Sequence, residues 1–321
     1  MGLDRFFSKA ISFLFSGLFF LVPLFFTPYN SELFEFNKIL LVYGFTVLIL
    51  ASWIARMFLQ KNIIFRRTPL DIPLFLFFLS QIFSTLFSID PHTSIFGYYS
   101  RFNGGLLSTA SFLFLYWAIV SNSTAKDVLK FIKITFVSAL IVSFYGILEH
   151  FGHSFSCLFF EGKFDVSCWI QDVKSRVFAT IGQPNWLAAY LAILLPISLA
   201  FSLNQEPGTM NKGKKYLSPI IHYSLFIILF LCLLFTVSRS GFLGLGVSLI
   251  IFWLFFFLTK LKKLNSIFKP VALNALIITA CLLVFGTPFS QINRYLQFKN
   301  WFSKAQPEVQ TEAVSNQPSE P

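Results

Sequence analysis

Long apolar stretches alternate with short polar ones over most of the chain. A helix needs about 20 apolar residues to cross a bilayer core roughly 30 Å thick. Backbone amides in lipid must be satisfied within the segment, so such stretches are expected to be helices and not strands. The pattern predicts an all-α integral membrane protein, a polytopic bundle of about nine transmembrane helices. The predicted spans are Ala10–Pro28, Ile39–Leu59, Leu70–Ile89, Gly105–Val120, Ile134–Phe151, Asn185–Leu203, Ile221–Val237, Gly241–Thr259 and Val271–Thr287.

Composition supports this class and excludes a soluble globular protein. Of the 321 residues, 55% are hydrophobic and only 12% are charged, whereas a soluble domain carries roughly 25% charged residues. Residues 1–288 are therefore predicted to form one polytopic membrane domain. Residues 289–321 turn polar and lose apolar periodicity, so we expect either the start of an extracytoplasmic loop or a disordered tail.

The positions of Lys and Arg predict the orientation in the membrane. Most basic residues fall in alternate loops, and loops rich in Lys and Arg remain in the cytoplasm. This charge distribution places the amino terminus in the cytoplasm and, with nine spans, the carboxyl terminus outside it. The net charge of +11 is then explained by topology and by contact with anionic lipid headgroups, and no nucleic-acid partner is expected. The basic loops hold Arg5 and Lys9; Arg56, Lys61, Arg66 and Arg67; Lys126, Lys130 and Lys133; Lys212, Lys214 and Lys215; and Lys260, Lys262, Lys263 and Lys269.

Cysteine and histidine residues suggest a disulfide but no metal site. Cys157 and Cys168 fall in the same predicted extracytoplasmic loop, where oxidising conditions permit a bond. His150 and His153 are three residues apart, which puts both on one helix face. A metal pair and a pair of polar residues at the water interface both fit that spacing, and the second interpretation is favoured.

Polar patches at the predicted outer ends of the helices carry the candidate chemistry. Ser238-Arg239-Ser240-Gly241 forms a tight turn between the seventh and eighth spans, and we expect it to force these two helices together, with Gly241 allowing the close approach. Arg239 is costly at this depth unless it snorkels to lipid headgroups or binds an anion. Its planar guanidinium suits phosphate, which it can contact through two oxygens. Pro184 is suited to the first turn of the sixth helix.

Three segments resemble the O-antigen ligase and polymerase superfamily of bacterial envelope enzymes. They are STLFSIDPHTSIFGYYSRFNGGLL, RVFATIGQPNWLAAYLAILLPISLAF and LLFTVSRSGFLGLGV. The resemblance implies a multi-pass enzyme of the bacterial cytoplasmic membrane that transfers a glycan from a polyprenyl-pyrophosphate carrier to an acceptor glycolipid, glycan or protein. Members of the superfamily need no metal or soluble cofactor. Arg239 matches an arginine that holds the pyrophosphate and is the predicted catalytic residue. Arg176, Arg101 and Asn185 match motif positions and are assigned to substrate binding.

The chain departs from the superfamily pattern after His222. Relatives carry a further Arg and a His in a long external loop, followed by more helices, and no histidine follows His222 here. We therefore expect a fragment of a longer protein, with an inactive truncated relative as the other possibility. A small-anion transporter of the inorganic-carbon type and a membrane scaffold are the rival functions. The absence of internal repeats and of charged residues at mid-span argues against the transporter.

Overall fold

The computed structural model describes residues 2–27, 29, 32–203, 212–260 and 264–289. Within these ranges the regular secondary structure is helical throughout, and no strand occurs. The helices are α1 Gly2–Leu24, α2 Glu35–Gln60, α3 Asp71–Leu86, α4 Pro91–Phe96, α5 Leu106–Asn122, α6 Ala125–His150, α7 Phe155–Glu161, a 3-10 turn at Ala179–Ile181, α8 Pro184–Leu203, α9 Lys212–Phe235, α10 Arg239–Lys260 and α11 Leu264–Phe285.

The prediction of an all-helical membrane protein is confirmed at the level of class. Each of the nine apolar stretches corresponds to a helix, and α4 and α7 are short additional helices between them. Among the described residues, five helices are long and apolar enough to cross a membrane, and four more apolar helices are shorter, at 10–17 residues. The five are Gly2–Leu24, Glu35–Gln60, Ala125–His150, Pro184–Leu203 and Arg239–Thr259; the four are Asp71–Leu86, Leu106–Asn122, Tyr223–Phe235 and Val271–Phe285. The predicted tail lies mostly outside the described residues, which end at residue 289.

The larger apolar core lies between α6, α8 and α9. Its centre is made of fully buried aliphatic side chains, including Val142, Leu191, Leu195, Leu229 and Leu233. Small residues let membrane helices approach closely, where packing replaces the hydrophobic driving force available in water. Gly146 of α6 serves this purpose, because a Cβ added there would lie 3.0 Å from Sγ of Cys232 in α9.

A second core joins the amino-terminal helices to the first. It is centred on Ile11 and Phe15 of α1, Ile49 of α2, Ala118 of α5 and Phe131 of α6. The rings of Phe15 and Phe131 lie 5.8 Å apart. Helix α6 contributes to both cores and therefore links the two parts of the bundle.

The two ends of the bundle differ in chemistry. At one end Arg56 pairs with Asp4 across 2.9 Å and donates to Asn122 Oδ1 across 2.9 Å; we call this the Arg56 end. At the other, the carboxyl-terminal ends of α1, α6 and α9 meet the amino-terminal ends of α2, α8 and α10 through the contacts described below; we call this the Arg239 end.

The tight turn at residues 236–238 is present. The prediction that Gly241 allows close approach of α9 and α10 is wrong. Gly241 does not pack α10 against α9, its neighbour along the chain. A Cβ on Gly241 would instead clash with the Cβ of Ala188 in α8. The closest approach of α10 is therefore to α8, which brings the amino-terminal ends of these two helices together.

Candidate anion site at the Arg239 end

Residues 177–181, which we call the anchored turn, are fastened to the carboxyl-terminal ends of two helices. The last four carbonyl groups of a helix lack partners within it and need donors from elsewhere. Val177 N donates to the carbonyl of Phe235, the last residue of α9, across 3.1 Å. Ala179 N donates to Oε2 of Glu149 near the end of α6 across 3.0 Å. Glu149 is fully buried, so this backbone bond gives a partner to a carboxyl group that has no access to water.

Thr180 ties the same turn to α1 and α2. Its hydroxyl donates to the carbonyl of Pro23 across 2.7 Å. Its carbonyl accepts from Nζ of Lys38 across 2.5 Å, and the same ammonium donates to the carbonyl of Phe25 across 2.7 Å. Four helices therefore hold the turn that separates Arg176 from Asn185.

The helices α8 and α10 begin side by side just beyond this turn. Helix α8 starts at Pro184, as expected, because a proline at the first helical position loses no intrahelical bond. Ser238 immediately precedes α10, and its hydroxyl accepts from the backbone N–H of Gly241 across 3.2 Å, as an N-cap residue does. The same hydroxyl donates to Oδ1 of Asn185 in the first turn of α8 across 2.9 Å.

Two of the predicted arginines line a common cavity at this junction. The cavity has a volume of about 480 Å³ and is lined by Arg176, Asn185, Val237, Arg239, Ser240 and Pro288; we call it the cationic cavity. Arg176 donates through Nη2 to Asn185 Oδ1 and through Nε to the carbonyl of Thr236, each across 3.4 Å. Arg239 is the first residue of α10 and is exposed. Among the described lining residues none is acidic.

The cationic cavity has the chemistry of an anion site. Two guanidinium groups bring two positive charges and planar sets of donors that match phosphate oxygens. The amino-terminal ends of α8 and α10 both open beside it, and such ends favour negative charge through their dipoles and free N–H groups. The arrangement therefore suits a negatively charged ligand, and phosphate groups in particular.

Arg101, which the resemblance assigns to substrate binding, does not line the cationic cavity. It pairs with Glu35 at 3.3 Å, and its guanidinium lies 5.7 Å from the centre of the Trp186 ring. It lines a second cavity, on the other face of the first turn of α8. The sequence places Arg101 in the loop before α5 and could not show that its guanidinium reaches Trp186 of α8.

Cys157 and Cys168 form a disulfide in the structure, with Cα atoms 5.4 Å apart. The bond joins α7 to the segment that leads to Trp169 and the anchored turn. Next to it, the hydroxyl and backbone N–H of Ser167 donate to Oδ1 of Asp165 across 2.6 and 3.0 Å. These bonds hold the pKa of Asp165 below its ordinary value, so the carboxylate remains charged.

The histidine pair has separate partners. Nδ1 of His150 lies 2.9 Å from the carbonyl of Lys174, and the ring stacks on Phe235 with centroids 3.8 Å apart. Nδ1 of His153 lies 3.2 Å from the carbonyl of Phe164. Both rings are used in local packing, which favours the interpretation of polar residues at the interface. In the described ranges no three His, Cys, Asp or Glu residues gather as a metal site would require.

Sequence reasoning missed the two ionisable residues that position the site, Lys38 and Glu149. Each lies at the end of an apolar stretch, and a charge at such a place is costly unless it has a partner. This cost is the feature of the sequence that could have identified Lys38 and Glu149 as residues with buried partners. The partners themselves, Thr180 and Ala179, lie 142 and 30 residues away in the chain and could not be found by local spacing.

Comparison of the chain with protein-family models, with curated proteins and with solved structures finds no match in any of the three. The chemistry of the two cavities therefore provides the argument for function.

Proposed function

We propose that the protein transfers a glycan from a polyprenyl-pyrophosphate carrier to an acceptor at the outer face of the bacterial cytoplasmic membrane, with the chemistry of an O-antigen ligase or polymerase. One observation carries the proposal: Arg176, Arg239 and Asn185 line the same cavity, beside the amino-terminal ends of two helices. These residues stand in two of the three segments that resemble the superfamily.

Charge distribution supports the proposed orientation. Basic residues described at the Arg56 end include Arg5, Lys9, Arg56, Arg66 and Lys126, and such residues favour the cytoplasmic side. The proposed topology has nine crossings with the amino terminus inside. The Arg239 end then faces outward, where a lipid-linked glycan presents its pyrophosphate at the level of the headgroups.

The proposed reaction makes one bond and breaks one. An acceptor hydroxyl oxygen attacks the anomeric carbon of the donor sugar, and the bond from that carbon to the pyrophosphate oxygen breaks. The pyrophosphate leaves with the bonding electron pair and stays on its lipid, while the hydroxyl proton passes to a base. Arg239 and Arg176 are proposed to stabilise the charge that develops on the leaving group. Asn185 holds Arg176 in place through its Oδ1.

No metal or soluble cofactor is part of the proposal, because two guanidinium groups supply the positive charge that pyrophosphate requires. The partners are the lipid-linked glycan, the acceptor glycolipid, glycan or protein, and the surrounding membrane lipids.

Binding and transfer together test the proposal. The protein in lipid nanodiscs is titrated with undecaprenyl pyrophosphate, and variants are expressed in the native host with the chromosomal gene deleted. Arg239→Ala should weaken binding about 10-fold to 100-fold, because hydrogen bonds to a charged group contribute roughly 1.5–3 kcal/mol, and it should abolish glycan transfer. Arg239→Lys should also be impaired, since an ammonium cannot make the two-pronged contact.

Arg66→Ala is the matched control, because Arg66 is an exposed arginine at the Arg56 end. It should bind and transfer as the wild type does. Wild-type transfer by Arg239→Ala at equal membrane abundance would refute the proposal.

A further inference from the structure

The second cavity at the Arg239 end has an aromatic floor and a polar rim. Its volume is about 490 Å³, within the range of roughly 300–1,000 Å³ that is typical of small-molecule sites. We call it the aromatic cavity. Its lining residues are Glu32, Leu33, Phe34, Arg101, Cys168, Trp169, Ile170, Gln171, Phe178, Gly182, Gln183 and Trp186.

Three rings form the floor and hold one another in place. Phe34 stacks on Trp169 with centroids 5.8 Å apart, and Phe178 meets the edge of Trp169 at 5.1 Å. Phe34 and Phe178 are 7% and 2% exposed. Gly182 leaves room for this packing, because a Cβ there would clash with the Phe34 ring. The floor is therefore a rigid apolar surface.

The rim carries donors and acceptors that are free to meet a ligand. Gln171 and Gln183 are exposed, and each amide offers both N–H donors and a carbonyl acceptor. Arg101 is held in position by Glu35 and by the face of Trp186. Since Glu35 pairs with Arg101 and Glu32 also lines the cavity, the rim has no net excess of positive charge. This sets it apart from the cationic cavity.

We infer that the aromatic cavity binds a pyranose ring of an oligosaccharide. A pyranose has a C–H face that packs on aromatic rings and a girdle of hydroxyl groups that both donate and accept hydrogen bonds. A lipid tail would leave the amides of Gln171 and Gln183 without partners, and an anion would meet Glu32. The inference rests on the proposed function and adds a sugar-binding subsite to it.

The position of the cavity relates it to the reacting end of the donor. Gln183 and Trp186 line the aromatic cavity, whereas Asn185, between them in sequence, lines the cationic cavity. The first turn of α8 is thus the wall between the two cavities. When Arg176 and Arg239 hold the pyrophosphate, a sugar of the donor glycan or a sugar of the acceptor can reach the aromatic cavity.

A glycan microarray tests the inference. The full chain is purified in lipid nanodiscs without sugar-based detergent, and the probes are printed bacterial oligosaccharides that carry neither lipid nor pyrophosphate. Wild-type protein should bind at least one oligosaccharide, and Trp169→Ala and Gln171→Ala should each reduce that signal at least tenfold. Trp169→Phe, which keeps an aromatic ring in the floor, should retain part of it. The control Tyr99→Ala removes an aromatic ring that is 78% exposed and lies outside the cavity lining, and it should bind normally.

A competition experiment distinguishes a sugar of the donor from a sugar of the acceptor. If the site takes the donor, the free oligosaccharide should compete with the same oligosaccharide linked to undecaprenyl pyrophosphate. If it takes the acceptor, the two should bind together. Either result supports a sugar subsite.

Absence of any array binding by the wild type, or unchanged binding by both Trp169→Ala and Gln171→Ala, would overturn the inference. This outcome is distinct from failure of the proposed function. Arg239→Ala should bind free oligosaccharide normally while losing glycan transfer. A sugar subsite without transferase activity would show array binding and no transfer. A transferase without this subsite would show transfer and no array binding.

Discussion

The hydroxyl of Ser238 donates to Oδ1 of Asn185 across 2.9 Å and joins the amino-terminal ends of α10 and α8. The Ser238 hydroxyl oxygen also accepts from the backbone N–H of Gly241, so one hydroxyl both caps α10 and fixes Asn185. Asn185 in turn accepts from Arg176. A chain of three polar side chains thus connects the start of α10 to a guanidinium of the cationic cavity.

Replacing Ser238 should loosen this junction. Ser238→Ala removes both the cap of α10 and the bond to Asn185, and loss of a cap costs about 0.5–2 kcal/mol. We expect a lower midpoint of thermal unfolding in detergent solution. Ser238→Thr retains a hydroxyl and should lose less. Equal midpoints for wild type and Ser238→Ala would show that the bond contributes nothing to stability.

A negative charge at Asn185 should weaken anion binding. Asn185→Asp keeps an acceptor for Arg176 and Ser238 but places a carboxylate in the cationic cavity. Repulsion between like charges about 4 Å apart costs about 1 kcal/mol even in bulk water, so affinity for undecaprenyl pyrophosphate should fall at least about fivefold. Gln183→Glu adds the same charge on the other side of the first turn of α8 and should have a smaller effect. Equal losses in the two variants, measured by titration in nanodiscs, would argue against the cationic cavity as the binding site.

Enlarging Gly241 should force α10 away from α8. Gly241→Ala creates a clash with Ala188, and overpacking of this kind costs typically 1–3 kcal/mol. The double variant Gly241→Ala with Ala188→Gly should recover much of the lost thermal stability. Gly244→Ala is the control, because its added methyl group would meet nothing within 4 Å. If Gly241→Ala and Gly244→Ala unfold at the same temperature, the predicted contact is wrong.

Removing the carboxyl group of Glu149 should release the anchored turn. Glu149→Leu leaves the buried N–H of Ala179 without its acceptor, at a cost of about 1–3 kcal/mol. Glu149→Gln keeps a carbonyl oxygen and should be milder, and Glu161→Gln tests an exposed glutamate. Limited proteolysis of residues 162–183 should accelerate most in Glu149→Leu. Unchanged cleavage in that variant would show that the turn is held without Glu149.

The helices were predictable because each depends on a local pattern. A stretch of about 20 apolar residues indicates a helix regardless of its surroundings, and Pro184 marks the start of α8 through its own geometry. The short connection around Ser238 also follows from local sequence. These features supply the bundle and place Arg239 and Asn185 at helix starts.

The packing partners were not predictable, because they depend on contacts between distant segments. Gly241 suggests close packing, yet only the fold shows that Ala188 and not a residue of α9 is its neighbour. Arg101 and Arg176 both stand in segments that resemble the superfamily, but they line different cavities. The hydrogen bond from Lys38 to the carbonyl of Thr180 joins residues that share no local sequence pattern.

The four-helix attachment of the anchored turn has a consequence for the thermodynamics of binding. A flexible loop must lose conformational entropy when a ligand immobilises it, and that loss subtracts from affinity. The backbone next to Arg176 has already been immobilised, by α1, α2, α6 and α9, before any ligand arrives. An anion entering the cationic cavity therefore meets a preorganised charge, and little of its binding free energy is spent on ordering the protein.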